Sequence, residues 1–186
     1  GLERTAFLHV ADIWEQRQNG HGGQNGDGPK PIEKILTEGQ NLIVQVPKDP
    51  IGSKGARLST QTSIAGRLLV YLPQEKHIGI SQRIEGEAER EQLRGKLQQL
   101  VPADEAGGFI VRTMAEKASD EELASDIAYL RKRWTEARNA AVSARPPALL
   151  YQDLTLGQRL LRDLVTPETS RIFIDSRENF QKLSTF

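Results

Sequence analysis

Arg112 and Thr113 stand side by side where a short apolar run ends, in "GGFIVRTMAE" (107–116). Arginine carries a planar fork of donors that is always charged, and threonine adds a short hydroxyl that can donate or accept. Those two groups suit a phosphate, whose several oxygens accept charge-assisted hydrogen bonds. A strand end meeting water has the same polar composition, so the pair by itself leaves both readings open.

Other residue groups are less pointed. "PIGSKGARLST" (50–60) places Lys54 and Arg57 on a glycine-bracketed turn, which is either a solvated hairpin or the rim of a nucleic-acid groove. "GSKG" lacks the spacing of a Walker phosphate loop, and no G-x-S-x-G elbow occurs. His9, His21 and His77 are far apart and flank no second metal-type ligand, so a metal site built on them is not expected. Carboxylates are plentiful but lie mostly on helix faces, without the clustered aspartates of a two-metal nuclease. No catalytic residue is expected in this chain.

Composition narrows the classes further. The 186 residues are 37% hydrophobic and balance 25 Lys and Arg against 25 Asp and Glu, so nucleic-acid binding would rest on local patches. Cysteine is absent, which removes disulfides and thiolate metal sites and fits a reducing, cytoplasmic setting. No run approaches the ~18 apolar residues of a membrane span. The chain opens without methionine, within a structured-looking segment and without a charged leader, and reads as a piece of a longer protein.

The elements that must position Arg112 and Thr113 follow from periodicity. Phe7, Leu8 and Val10 mark a strand turning into a short helix, and 15–31 is a Gly, Gln and Asn-rich stretch expected to be a mobile insertion. Alternation over Leu42, Val44 and Val46 indicates a half-buried strand. "AGRLLVYLP" (65–73) reads as one continuous strand, with "HIGISQRI" (77–84) as its antiparallel partner. Residues 85–101 form a helix on a Leu93, Leu97 and Leu100 stripe, and a strand follows over 108–112. The capping box "SDEE" starts a helix whose stripe is Leu123, Ile127, Leu130 and Trp134, with "RKR" (131–133) mostly on other faces. A shorter helix carries Leu156, Leu160, Leu161 and Leu164, and "RIFID" (171–175) reads as a strand before a helical tail. The fold class is α+β, in two lobes meeting near 59–64.

Taken in order, "AFLHVADI", "GQNLIVQVPKDPIGSKGARLST", "LVYLP", "HIGISQRIEGEAEREQL", "GGFIVRTMAE", "ELASDIAYLRKRW" and "RIFIDSR" resemble the N-terminal half of bacterial members of the ribonuclease E/G family. The resemblance covers the chain apart from the glycine-rich insertion. It implies that 1–62 is the later part of an RNA-binding OB-fold, incomplete because its first strands lie upstream of Gly1. It further implies a mixed α/β lobe over 63–166 that senses the RNA 5′ end, and over 167–186 the entry to an RNase H-like region. Phe7 and Lys54 match positions that contact RNA. Gly66, Val70, Arg112 and Thr113 match the pocket for a 5′-monophosphate, with Arg83 a basic neighbour.

The family's Mg2+-binding aspartates and its cysteine-containing Zn2+ link would lie beyond Phe186. The implied parent is a homo-oligomeric, metal-dependent endoribonuclease cutting single-stranded RNA, preferring 5′-monophosphorylated substrates, in ribosomal RNA maturation and messenger decay. The chain itself would then bind RNA without cleaving it. A freestanding RNA-binding adaptor and a cytoskeleton-associated (axial filament) protein are the alternatives.

Overall fold

The computed structural model describes residues 2, 4–13 and 31–186. The insertion expected over 15–31 therefore lies, apart from Pro31, outside the described residues. Within them the chain is α+β, with two mixed sheets and four α-helices.

The first sheet has three short strands, β1 (Phe7–Leu8), β2 (Gln45–Lys48) and β3 (Arg57–Ser59), in the order β1-β3-β2. β3 runs parallel to β1 and antiparallel to β2. Gly55 lets β3 approach β1: a Cβ there would sit 1.8 Å from the Thr5 carbonyl oxygen, so only glycine fits. β2 starts later than the alternation over 42–46 indicates, and Leu42, Ile43 and Val46 are exposed. The strand includes Pro47, which lacks an N–H and is tolerated because β2 is an edge. Among the described residues this lobe is an open sheet.

Residues 60–63 run between the sheets, held by two glutamine amides. Gln45 exchanges hydrogen bonds with Ser63 (N–H to Oε1 2.8 Å, Nε2 to carbonyl 3.1 Å), and Gln74 does the same with Thr60 and Thr62 (2.9 and 3.1 Å).

The second sheet runs β4 (Ile64–Ala65), β5 (Leu69–Leu72), β7 (Gly108–Val111), β6 (Ile78–Ile80). α1 (Glu87–Leu100) connects β6 to its parallel neighbour β7, the long crossover that parallel pairing requires. α1 and α2 (Asp120–Ser143) cover one face of this sheet. Leu69, Tyr71, Phe109 and Val111 meet Leu93, Leu97, Leu123, Ile127 and Leu130 there, each side chain contributing about 1.5–3 kcal/mol by leaving water. The capping box at Ser119 and Glu122 forms as its sequence indicates.

Four expectations are corrected. The apolar run 65–73 is broken by a turn at 66–68, so β4 and β5 form a tight hairpin. Residues 78–80 pair with β7 and not with β5, because β7 holds the interior seat. Its Phe109 and Val111 are fully buried, whereas β6 carries Gly79 and takes the edge. "RIFID" finds no ladder partner among the described residues and stays irregular, with Phe173 88% exposed. In α3 (Leu156–Leu164), Leu156, Leu160 and Leu164 face outward; polar residues of this helix reach the second lobe, as described below. The helical tail is α4 (Arg177–Ser184).

Candidate functional site

The strand directions of the second sheet collect its chemistry at one end. β6 and β7 both finish there and β5 begins there, so the 66–68 turn, Ser81 to Arg83, and Arg112 with Thr113 become neighbours. Arg112 N–H donates to Leu68 O (2.9 Å) and Ser81 N–H to Val111 O (2.9 Å), extending the ladder to that end.

The turn is shaped by a carboxylate from α2. Asp126 Oδ2 accepts from Leu68 N–H (2.9 Å) and Leu69 N–H (2.8 Å), and Oδ1 accepts from Arg67 N–H (3.2 Å). Gly66 leaves room for that carboxylate, since a Cβ would meet Asp126 Oδ2 at 2.5 Å and one of the two would have to shift. Successive N–H groups converging on one anion draw the chain into a tight concave bend. That bend turns the Gly66 and Arg67 carbonyls the other way, toward Arg112. Arg112 Nη1 donates to both, at 2.5 and 2.9 Å.

With Nη1 committed, the side edge of the guanidinium, formed by Nε and Nη2, is what remains. Nε has no partner among the described residues, and Nη2 makes one long contact, 3.4 Å, to Asp163 Oδ2. Asp163 belongs more closely to its neighbour Arg162, which donates from Nε to Oδ1 (2.8 Å) and from Nη2 to Oδ2 (3.2 Å). Arg162 also donates from Nη1 to Ala65 O (2.9 Å), fastening α3 to the hairpin. Burial works to raise the Asp163 carboxyl, but the hydrogen bond and charge of Arg162, then those of Arg112, outweigh it and hold the group below the ordinary aspartate value. The side chains of Arg112 and Asp163 keep 29% and 23% of their surface in contact with solvent, so the cluster is open on one side.

The remaining expected residues fall as follows. Thr113 opens a one-turn 3-10 helix (Thr113–Ala115), half-buried, with no partner for its hydroxyl among the described residues. Val70 lies one residue into β5, paired with Ala65 and Ile110. Since Leu68 and Arg112 form a bonded pair, antiparallel alternation makes Val70 and Ile110 the next one and turns the Val70 N–H into the sheet. Arg83 is exposed, three residues past β6 at the same end. Phe7 and Lys54 lie in the first lobe. Phe7, 48% exposed, pairs with Arg57 on β3, and exposed Lys54 immediately precedes the Gly55 contact with Thr5. The structure thus gathers Gly66, Arg112, Thr113 and, more loosely, Arg83, and leaves Phe7 and Lys54 as a separate surface.

Sequence reasoning missed Asp126, Arg162 and Asp163. Asp126 had one usable signal, a carboxylate directly beside the buried Ile127 stripe, where an unpaired charge is costly. The Arg162–Asp163 pair had none, because adjacent opposite charges are ordinary on exposed helices.

Comparison with known proteins decides the family: residues 63–186, which hold this whole cluster, match the Ribonuclease E/G family. The chain belongs to the Ribonuclease E/G family. It is 42% identical to Ribonuclease G of Escherichia coli strain K12 across its full length, and 39% identical to Ribonuclease G of Haemophilus influenzae. Ribonuclease E of a Nostoc species is 34% identical over 99% of the chain. The chain spans 38% of the length of those Ribonuclease G relatives and 26% of that Ribonuclease E. Among the described residues no group of three or more His, Asp or Glu is placed to hold a metal ion, and no helix is long and apolar enough to cross a membrane.

Proposed function

We propose that this chain is the RNA-capturing and 5′-end-sensing part of a ribonuclease of its family, an endoribonuclease that cuts single-stranded RNA in ribosomal RNA maturation and messenger decay. The observation that carries the reading is the Arg112 guanidinium, anchored by Nη1 on the Gly66 and Arg67 carbonyls, with the side chain 29% exposed and Nε and Nη2 not taken up by that anchor. A side-on edge with two parallel donors matches two oxygens of a terminal phosphate, and the Thr113 hydroxyl adds a donor for a third. Gly66 and Val70 act through backbone position, bringing the turn against Arg112, and Arg83 adds positive charge at the rim.

The first lobe supplies contacts that do not depend on the end. In this reading it is the later part of an OB-fold, with exposed Phe7 as a platform for a base and Lys54 for a phosphodiester. Residues 1–62, 63–166 and 167–186 are then an incomplete OB-fold, a sensor lobe and the start of an RNase H-like region. Mg2+ and any Zn2+ would belong to the remainder of a homo-oligomeric, cytoplasmic parent, and the chain alone would bind RNA without cutting it.

Fluorescence anisotropy tests the reading, using one short single-stranded RNA labelled at its 3′ end and bearing a 5′-monophosphate or a 5′-hydroxyl. The phosphorylated form should bind about tenfold or more tightly, given about 1.5–3 kcal/mol per hydrogen bond to a charged group. Arg112→Ala should abolish the difference and leave binding of the hydroxyl form unchanged. Equal binding of the two ends by the unmutated chain would sink the proposal.

A further inference from the structure

Arg112 and Arg162 share one carboxylate unequally. Asp163 sits squarely in the Arg162 fork, at 2.8 and 3.2 Å, and only its Oδ2 reaches Arg112, at 3.4 Å. That single contact falls on Nη2, one of the two nitrogens left over once Nη1 is committed. An anion seated side-on at Arg112 therefore meets Asp163 at Nη2 and settles next to its negative charge. Asp126, the other carboxylate packed against this turn, is turned onto backbone N–H groups and answers no donor of Arg112. Arg162 is held through all three of its nitrogens, by Asp163 and by Ala65 O, so swinging across to replace the lost contact would break those bonds.

We propose that Asp163 is a specificity-determining residue of the candidate phosphate site: a tethered carboxylate that occupies one donor of Arg112 and sets a threshold that an incoming anion must exceed. The inference rests on the reading of Arg112 given above. A terminal monophosphate carries up to two charges and three free oxygens, enough to displace one loosely held carboxylate oxygen. An internal phosphodiester carries one charge and two free oxygens and gains less from the same exchange. Asp163 thereby keeps the site from being filled by the body of an RNA strand. The tether matters as much as the charge, because the Arg162 fork holds Asp163 at the long distance and stops it closing fully on Arg112.

The two partners give opposite expectations. Asp163→Asn removes the charge with little change of shape, and should strengthen binding of the 5′-monophosphorylated RNA by about two- to fivefold, the range of a partly exposed ion pair. The same variant should also let a phosphodiester compete: a 5′-hydroxyl RNA should displace the labelled 5′-monophosphorylated RNA at a lower concentration than it does from the unmutated chain. Arg162→Gln releases the tether, lets Asp163 close on Arg112, and should weaken binding of the phosphorylated end. Asp163→Glu, which restores the charge, should return affinity toward the original value.

Thermal unfolding of each variant is recorded alongside, and Arg162→Gln decides the matter if Asp163→Asn does not fold. Unchanged or weaker binding by a folded Asp163→Asn, or stronger binding by Arg162→Gln, overturns the inference. Equal binding of both RNA ends by the unmutated chain overturns the underlying reading instead, so the two failures are distinguishable.

Discussion

The second sheet has a charged cluster at each end of β7, and the two are built on opposite plans. At the Gly108 end, buried Glu105 accepts from Tyr71 Oη (2.8 Å) and Gly107 N–H (2.9 Å) through Oε1, and its Oε2 meets the Arg131 guanidinium. Tyr71 packs against Phe109 with ring centroids 5.0 Å apart, so this network is walled by the core. At the Val111 end, the Arg112 side chain keeps contact with solvent and its one side-chain contact is long. The first takes up both Glu105 carboxylate oxygens within the cluster, and the second leaves donors available. A charge buried with its partners complete serves stability, whereas a charge held in place with an open edge can serve a ligand.

The contrast predicts separate losses. The largest loss of stability should come from Glu105→Ala, which leaves the Tyr71 hydroxyl and the Gly107 N–H without their acceptor. We expect about 3 kcal/mol, reduced from the cost of breaking a fully buried pair because Arg131 reaches solvent. Urea unfolding followed by circular dichroism measures it, and among molecules still folded the preference for a 5′-phosphate should persist. Loss of that preference in the folded fraction would mean that the two ends are not independent.

Asp126→Ala should cost somewhat less, about 2 kcal/mol, and should remove the end preference as well, since the 66–68 turn loses its anchor. Gly66→Ala sharpens the point. Alone it drives a Cβ into the Asp126 carboxylate and should destabilise by about 1–3 kcal/mol. In the Asp126→Ala background the same change should cost much less. Additive costs would show that something other than Asp126 limits the space at Gly66.

The smallest effect is on acid sensitivity. Burial works to raise the Glu105 carboxyl, but the Gly107 N–H, the Tyr71 hydroxyl and Arg131 outweigh it and leave the group below its ordinary value of 4.5. A carboxyl whose folded value is depressed adds stability above its ordinary value and loses it as pH falls through the folded one. Lowering the pH from 7 to about 3 should therefore reduce the urea midpoint more in the unmutated chain than in Glu105→Gln. Parallel declines would mean that other carboxylates govern the acid response.

Much of this was legible along the chain. The helices of the second lobe announce themselves by Leu93 and Leu97, by the Ser119 capping box, and by Leu123, Ile127 and Leu130, all local signals that burial then satisfies. The paired Arg112 and Thr113 stood out because a donor fork next to a hydroxyl at a strand end is a chemical pattern readable from residue types alone. Strand partners were not legible in the same way. Nothing local told residues 78–80 to lie beside β7 rather than β5, since that choice depends on which strand is apolar enough to take the centre. Outward-facing leucines on α3 were equally hidden, because an amphipathic period says that a face exists and not what meets it.

Residue order by itself determined the α+β class, the helices, the glycine-bracketed turn ahead of β3 and the candidate donor pair. Those depend on backbone sterics, capping and hydrophobic period, which act over a few residues. Only the tertiary structure decided that Arg112 would be anchored by the Gly66 and Arg67 carbonyls, that Asp126 would bend the turn beneath it, and that Asp163 would compete at its open edge. These partners are separated by between 45 and 59 residues in the chain. Contacts that distant are made by whichever packing buries the core of β5, β7, α1 and α2, and the charges then meet where that packing leaves them.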